Sequence, residues 1–424
     1  MQPSRRQLLR ALGAGLAAPL AAHLDSTDAK GREFPILMDG HVHVTGRAYW
    51  EGIDVWQPQQ TGWDFARAHA AGVNVIIENL GTYGYWNYNY SPKETLRMIE
   101  NFYRVAQQHR DKMALALTPA DARRIAASGR VAVFLSVESG WDHEGDLDVL
   151  RAFYRLGLRS LQFSTQTGYN AMADVLNAGD ANHWGAEHGL SSQGRAVAAE
   201  MNRLGMLIDI THGAPEAQTS LIEVSRAPVV ASHLFASAVA GPGGLSDEQI
   251  KALAAKGGLV GIHGGSAAIG KRYRAWLKAN PERAKATSAA LRGLTGFRVS
   301  GTHNVDTDNY GEFIRRFDSE MRAAWRNSFA PWSDDPEAKP LVPTADEYAE
   351  EIDYIIKLVG PDHVGIGLDM VGGRSGVPAD PSGYPQLIAA IKRVTTPANV
   401  RKVCGENWLR VLADVQRMRE RDAG

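Results

Sequence analysis

Met38-Asp39-Gly40-His41-Val42-His43 follows the apolar run Phe34 to Leu37 and reads as the exit of a buried strand. Successive side chains of a strand face opposite ways, so His41 and His43 share a face with Val42 behind them. Two imidazoles side by side at a strand's exit can close on one metal ion, or they can be two ordinary polar residues at a strand end. Which of these holds depends on whether further ligands arrive from the ends of other strands.

Outward from this stretch, short β-rich runs alternate with amphipathic helical ones. Eight such runs are legible: Phe34 to His43, Val73 to Asn79, Val131 to Ser139, Leu158 to Thr165, Met206 to His212, Pro228 to His233, Gly258 to His263 and His363 to Asp369. Helical patterns stand between most of them, at Thr61 to Ala71, Ser91 to His109, Ser192 to Leu204, Ser246 to Lys256 and Ala345 to Val359. Such alternation predicts a parallel sheet covered by helices, and eight repeats predict closure into a (β/α)8 TIM-type barrel of the α/β class. The competing architecture is a doubly wound open sheet, but no Gly-rich phosphate fingerprint follows the first strand. Gly264 to about Thr344 separates the last two runs and reads as a partly helical insertion (265–344), a candidate lid or oligomer contact. Pro397 to Arg419 reads as a terminal helix. Between Asn79 and Ser91 lie Tyr83, Tyr85, Trp86, Tyr88 and Tyr90, an aromatic rim that packs either on a substrate or on itself.

Barrel chemistry collects at the C-terminal ends of the strands. There the third run ends near Glu138, the fifth in His212, the sixth in His233, the seventh in His263 and the eighth in Asp369. Each alone has a plain structural reading: Glu138 as a helix cap, His212 or His233 as a satisfied core residue, His263 as a histidine paired within the insertion. Taken together, His41, His43, His212, His233, Glu138 and Asp369 predict a centre of one or two ions. His41 and His43 would hold the first, His212 and His233 the second, and Glu138 would give an oxygen to each. Nitrogen and carboxylate donors suit Zn2+ best, while iron, manganese and cobalt accept the same set. Water held there would ionise near neutral pH, with Asp369 taking the proton and passing it to a leaving group. The expected reaction is hydrolysis at an electrophilic carbonyl.

The formal net charge of -1 over 424 residues gives no electrostatic case for nucleic acid or an anionic membrane surface. The single cysteine, Cys404, excludes an intrachain disulfide and reads as small core filler. Ser4-Arg5-Arg6-Gln7-Leu8-Leu9-Arg10, followed by the weakly apolar Ala11 to Ala22, resembles a twin-arginine export signal, with cleavage near Ala21 or Ala22. The expected division is a signal and linker over 1–30 and a hydrolase barrel over 31–424, periplasmic and without a membrane anchor.

From Asp39 to about Leu412 the chain resembles the renal (membrane) dipeptidase family of the metal-dependent amidohydrolase superfamily. Ser192-Gln193-Gly194, Asn202-Arg203-Leu204-Gly205-Met206-Leu207-Ile208-Asp209, Leu358-Val359-Gly360-Pro361-Asp362-His363-Val364-Gly365 and Gly405-Glu406-Asn407-Trp408-Leu409-Arg410-Val411 carry the likeness beyond the metal-type residues. The resemblance implies that Glu138 bridges two zinc ions, that His212 and His233 complete the second site and that Asp369 is the proton shuttle. It also implies a dipeptide-like or other small-molecule substrate and a homodimer. Four departures qualify it. His43 stands where the family has aspartate, which makes the centre more positive by one charge. Gln166 is the nearest match to the family's oxyanion-holding histidine. Ala240-Gly241-Pro242-Gly243-Gly244 replaces the arginine pair that grips a dipeptide's carboxylate, and a lost bidentate clamp bears directly on specificity. Met370-Val371-Gly372-Gly373 replaces an aspartate and a phenylalanine. Tyr85, Trp86, Tyr169, Asn170 and the extra His263 are the candidate substrate contacts.

Three functions follow as alternatives. The first is a metal-dependent hydrolase that cleaves a dipeptide or related small amide by attack of metal-bound hydroxide. The second is a related metalloenzyme with a non-dipeptide substrate or with oxidative, lyase or isomerase chemistry, which His43 would permit. The third is a non-catalytic extracytoplasmic binding protein, against which the retained Asp369 speaks.

Overall fold

In a computed structural model of the chain, the described residues are 34–59, 62–80, 91–138, 145–164, 172–173, 189–282, 337, 339–370 and 376–422. The nine strands form one sheet: β1 (Met38–Val42), β2 (Val75–Asn79), β3 (Met113–Leu115), β4 (Val131–Val137), β5 (Leu158–Gln162), β6 (Leu207–Asp209), β7 (Val229–Leu234), β8 (Leu259–Ile262) and β9 (Val364–Ile366). Every ladder is parallel, in the order β1-β2-β4-β5-β6-β7-β8-β9. The eight predicted runs are thus all strands, most of them shorter than predicted and the sixth ending one residue later at Leu234, and they make the TIM-type barrel. β3 was not legible as a strand. It has three residues and pairs with Val131–Val133 of β4, while β5 takes Leu135–Val137 of the same strand. Since β2 occupies the other edge of β4, β3 fills the gap left where β5 begins late.

β1 and β9 are joined by a side chain rather than by a ladder. Asp39, fully buried, accepts from Leu368 N at 3.1 Å, from His41 N at 3.1 Å and from Tyr384 Oη at 2.5 Å. Asp369 N adds a bond of 3.3 Å to His41 O across the same seam. The carboxylate therefore ties the exits of the first and last strands, which sets His41 and Asp369 side by side.

Alternation sorts the strand residues into two buried layers. Val75, Ile77, Ala132, Phe134, Leu207, Val230 and Leu259 face the barrel interior, where Trp408 joins them. Ile76, Val133, Leu135, Ile208, Val260 and Ile366 face the covering helices. Trp408 fits because Gly40, Gly261 and Gly365 have no side chain: a Cβ on them would lie 2.0, 2.9 and 2.7 Å from its indole. Its Nε1 donates to Ile366 O at 2.9 Å. The segment that brings it there is not the single helix that the sequence pattern suggests. It runs as a helix Pro397–Arg401, a widened π-type turn Lys402–Glu406 and a helix Asn407–Asp422, and the turn lets Trp408 swing under the barrel. Cys404 is buried in this turn, as core filler.

The helical patterns at Ser192–Leu204 and Ala345–Val359 are reproduced to the residue, and the one expected over Thr61 to Ala71 is shorter, at Phe65–Ala70. Capping boxes start three helices, at Thr118/Asp121, Ser246/Gln249 and Thr344/Glu347. Within the insertion between β8 and β9 the described residues include helices Ser266–Ile269 and Lys271–Ala279. Among the described residues no helix is long and apolar enough to cross a membrane.

Candidate metal centre

Strict alternation from Met38 would send His41 outward with Asp39 and turn Val42 inward. The pairing shows otherwise: Asp39 sits opposite Ile76 and Val42 opposite Glu78, so β1 spends three steps where β2 spends two. This bulge makes Gly40 and His41 both face inward, returns Val42 to the helix-facing layer and leaves His43 pointing in. β7 repeats the device. Ala231 sits opposite Val260 and Leu234 opposite Ile262, again three steps against two, so Ser232 and His233 both face inward. Bulges next to strand ends re-aim side chains, and here each one aims a histidine. The bulged backbone needs room: a Cβ on Gly261 or Gly367 would lie 2.1 or 1.8 Å from Ser232 O.

Glu138, one residue past β4, is the centre of the resulting cluster. Its Oε2 lies 3.0 Å from His43 Nε2 and 3.5 Å from His41 Nε2, and those two nitrogens are 3.0 Å apart. Its Oε1 lies 2.9 Å from His212 Nε2 and 3.9 Å from His233 Nε2, with those nitrogens also 3.0 Å apart. One carboxylate thus faces a histidine pair with each oxygen. Asp369 stands across from it, Oδ1 3.4 Å from His43 Nε2 and Oδ2 3.8 Å from His233 Nε2 and 3.5 Å from His263 Nε2. His212 (φ 64°) and Asp369 (φ 48°) are the non-glycine residues with positive φ among the described residues. Such strained backbone collects at functional sites.

The donor set fits a metal. Nitrogens and an oxygen bound tetrahedrally at about 2.0–2.1 Å sit about 3.3 Å from one another, close to the spacing of both groups. His41–His43–Glu138 and Glu138–His212–His233 each bring three ligand atoms within 4.8 Å, as do His41, His233 and Asp369. Charge argues the same way. Burial would lower the His43 pKa, but the carboxylates of Asp369 and Glu138 beside it push it up to about 10. Burial would raise Glu138, and its histidine neighbours hold it well below the usual range instead. His233 is pushed well down by burial and by the neighbouring His41 and His212. The pocket therefore calls for positive charge between its carboxylates while keeping His233 neutral, and a cation supplies that charge as it displaces the proton. Asp369 Oδ1, buried without a hydrogen-bond donor among the described residues, faces the same space.

Of the residues singled out in the sequence, His41, His43, Glu138, His212, His233 and Asp369 converge in one cluster, the first five buried and Asp369 partly so. His263 lies beside Asp369, with its Nδ1 accepting from Gly265 N at 3.0 Å. Gln166, Tyr85, Trp86, Tyr169 and Asn170 lie outside the described residues, as do the export signal and Val371 to Gly373. The glycine pair after β7 has a steric cause. A Cβ on Gly244 would lie 2.3 Å from Phe235 O, and Gly243 has φ 104°, so no side chain fits the one and L residues disfavour the other. The cation that reaches this loop is Arg274, which donates to Ala268 O at 2.9 Å and to Pro242 O.

Two members of the cluster were missed. Asn79 Nδ2 donates to Glu138 Oε2 at 3.0 Å and lies 3.1 Å from His41 Nε2. Its signal was available, because it ends the second strand as the other polar residues end theirs. Ser232 precedes His233 and faces inward two residues after Val230, and the bulge turns His233 to the same side.

The membrane dipeptidase family description (peptidase family M19) matches residues 31–423. A dipeptidase of Claviceps purpurea, tcpJ, is 27% identical over 331 residues, 77% of this chain and 61% of that protein. The dipeptidase verJ of Clonostachys rogersoniana is 26% identical over 332 residues, 77% of this chain and 66% of that protein. The chain thus spans about three fifths to two thirds of these relatives' length. Among solved structures, the probable dipeptidase PvdM of Pseudomonas aeruginosa superposes with a TM-score of 0.69 at 23% identity, over 90% of this chain and 96% of that one. A metallopeptidase of Rhodobacter sphaeroides, liganded with a phosphinate mimic of L-Ala-D-Ala, superposes with a TM-score of 0.64 at 19% identity, over 90% of this chain and all of that one. The structural matches establish a shared fold, and the match over nearly the whole chain establishes that it belongs to the membrane dipeptidase family, within the amidohydrolase superfamily.

Proposed function

We propose that the protein is a metal-dependent hydrolase of a small amide, with dipeptides as the first substrates to try. One observation carries the reading: Glu138 presents each of its oxygens to a separate histidine pair, His41 with His43 and His212 with His233. Membership of a dipeptidase family, whose relatives in Claviceps and Clonostachys are named dipeptidases, points the same way. Zn2+ suits the donors best, with iron, manganese and cobalt as substitutes, and one or two ions can be held.

His41, His43 and Glu138 would hold one ion, and Glu138, His212 and His233 would hold the other. When bound, such ions polarise a carbonyl and make a water acidic near neutral pH. Asp369 lies within reach of both groups and moves the proton from the attacking water to the leaving nitrogen. Asn79 holds the Glu138 carboxylate in register by its bond to Oε2. His263 steadies Asp369 from the other side. Gln166, Tyr85, Trp86, Tyr169 and Asn170 remain the candidates for gripping the substrate. The glycine pair at Gly243-Gly244 places no side chain on its loop, so a free carboxylate, if the substrate has one, is gripped elsewhere. The export signal puts this chemistry in the periplasm.

The test is turnover of a panel of L,L and L,D dipeptides by the zinc-loaded protein beside Asp369→Asn. Expected is turnover that the variant loses by about 10²–10⁴-fold while its metal content and circular dichroism stay as in the parent. Equal turnover by the two proteins would overturn the role of Asp369. Absence of turnover on every dipeptide, with metal bound, would move the substrate to amides without a free carboxylate.

A further inference from the structure

We propose that Ser232 is a positioning residue that ties the two metal positions together, presetting one histidine of each as an Nε2 ligand. The inference rests on the metal reading above. Ser232 Oγ lies 3.0 Å from His41 Nδ1 and 2.9 Å from His233 Nδ1. In the two groups that share Glu138 these imidazoles stand apart, His41 with His43 and His233 with His212, and both also face Asp369. A single buried hydroxyl therefore touches the rear nitrogen of both.

Counting protons decides which way each bond runs. Asp209 Oδ1 is 2.7 Å from Thr211 Oγ1, and a carboxylate only accepts, so the Thr211 hydroxyl donates to it. The Thr211 oxygen then has two lone pairs left. One takes the backbone N–H of His233 at 3.5 Å, and the other faces Ser232 Oγ at 3.4 Å. Thr211 Oγ1 is thereby an acceptor facing the Ser232 hydroxyl, and we place the one Ser232 proton there, across the longest of its three contacts. The two Ser232 lone pairs then take protons from His41 Nδ1 and His233 Nδ1 at 3.0 and 2.9 Å. With Nδ1 protonated, each neutral ring carries its lone pair on Nε2, the nitrogen turned into the cluster. In this arrangement Asp209 sets the tautomer of two histidines through two hydroxyls. Outer partners of this kind orient metal-binding histidines and raise their basicity.

The geometry around Ser232 serves this placement. Only the β7 bulge turns Ser232 and His233 to the same side, and Gly261 and Gly367 clear the space its carbonyl needs. Asp209 Oδ1 also accepts from Ser232 N at 3.0 Å and from Thr211 N at 3.0 Å, which anchors the chain of hydroxyls to both strands. A hydroxyl needed only for packing has no cause to sit between two imidazoles.

The experiment measures zinc affinity by chelator competition on the full chain, together with the visible absorption of the cobalt(II) form. Expected for Ser232→Ala is a loss of about 10–100-fold in affinity at both positions, with altered cobalt bands and unchanged circular dichroism of the metal-free protein. Ser232→Thr, which keeps the hydroxyl, restores affinity and bands. Should Ser232→Ala fail to fold, Thr211→Val decides, since it removes the acceptor for the Ser232 proton and is expected to weaken both positions several-fold. Parent-like binding by Ser232→Ala, or a loss confined to one position, overturns the proposal while leaving the metal reading intact. A parent protein that takes no ion overturns the metal reading, and this proposal with it.

Discussion

The floor and the mouth of the barrel are built from the same strands, a few residues apart, and could hardly differ more. On the floor Val75, Ala132, Phe134, Leu207 and Leu259 close around Trp408, all of them buried. At the mouth His41, Asn79, Glu138 and His233 are also buried and Asp369 is partly buried, yet every one is polar or ionisable. Apolar burial stabilises the floor without help, at about 25 cal/mol per Å² removed from water. Buried polar groups cost free energy unless each is partnered, and at the mouth Asn79 partners Glu138 while Glu138 faces the histidines. Stability and chemistry are therefore separated along the barrel axis, which is the division this fold permits.

Removing the shared ligand breaks the mouth hardest. Glu138→Ala is expected to abolish zinc binding at both positions and to lower turnover by roughly 10³-fold or more, because several kcal/mol of transition-state stabilisation depend on the ions. Metal analysis and turnover check this, and two ions retained would sink the shared-ligand reading. The converse strike is at the floor. Trp408→Ala is expected to cost about 3–5 kcal/mol in chemical denaturation while leaving metal stoichiometry unchanged at low temperature. A loss of metal without a loss of stability would show that floor and mouth are not separate.

A third prediction concerns the helix layer behind the mouth. Glu351 Oε2 accepts from Ala236 N at 2.8 Å, whereas Oε1 is buried with no hydrogen bond among the described residues. Burial pushes its pKa from an ordinary 4.5 up to about 7, against the Ala236 bond. The folded state therefore keeps a proton that the unfolded chain releases, so stability falls as pH rises between these two values and levels off above. The fall is on the order of 3 kcal/mol. Glu351→Gln should flatten that part of the profile, and an unchanged slope in denaturation across the window would refute the assignment. The smallest effect belongs to the periphery: Thr344→Ala removes the capping box of the helix Ala345–Val359 and should cost about 1 kcal/mol, with turnover unmoved.

The alternation of β-rich and helical runs was enough to predict eight strands and their parallel order, because hydrophobic periodicity records which faces are buried. Polar residues ending those runs were enough to name His41, His43, Glu138, His212, His233 and Asp369, since barrel chemistry collects at the C-terminal ends of the strands. β3 escaped notice because three residues carry too little pattern. The break at Lys402–Glu406 had one signal, Gly405, which leaves helical geometry there, but a lone glycine does not distinguish a break from a tolerated helix residue.

What the chain of residues determined by itself was the repeat, the barrel and the identity of the groups at its mouth, all of them properties of local pattern. The tertiary structure decided how those groups face one another. Period-two reasoning turns His41 and His233 outward, and the bulges in β1 and β7 bring them in, His233 beside Ser232. A bulge is an extra residue measured against a neighbouring strand, so it exists only once the strands are paired. For the same reason Asp39 at the seam, Asn79 on Glu138 and Ser232 between two imidazoles gained their roles from partners distant in sequence, which no local pattern records.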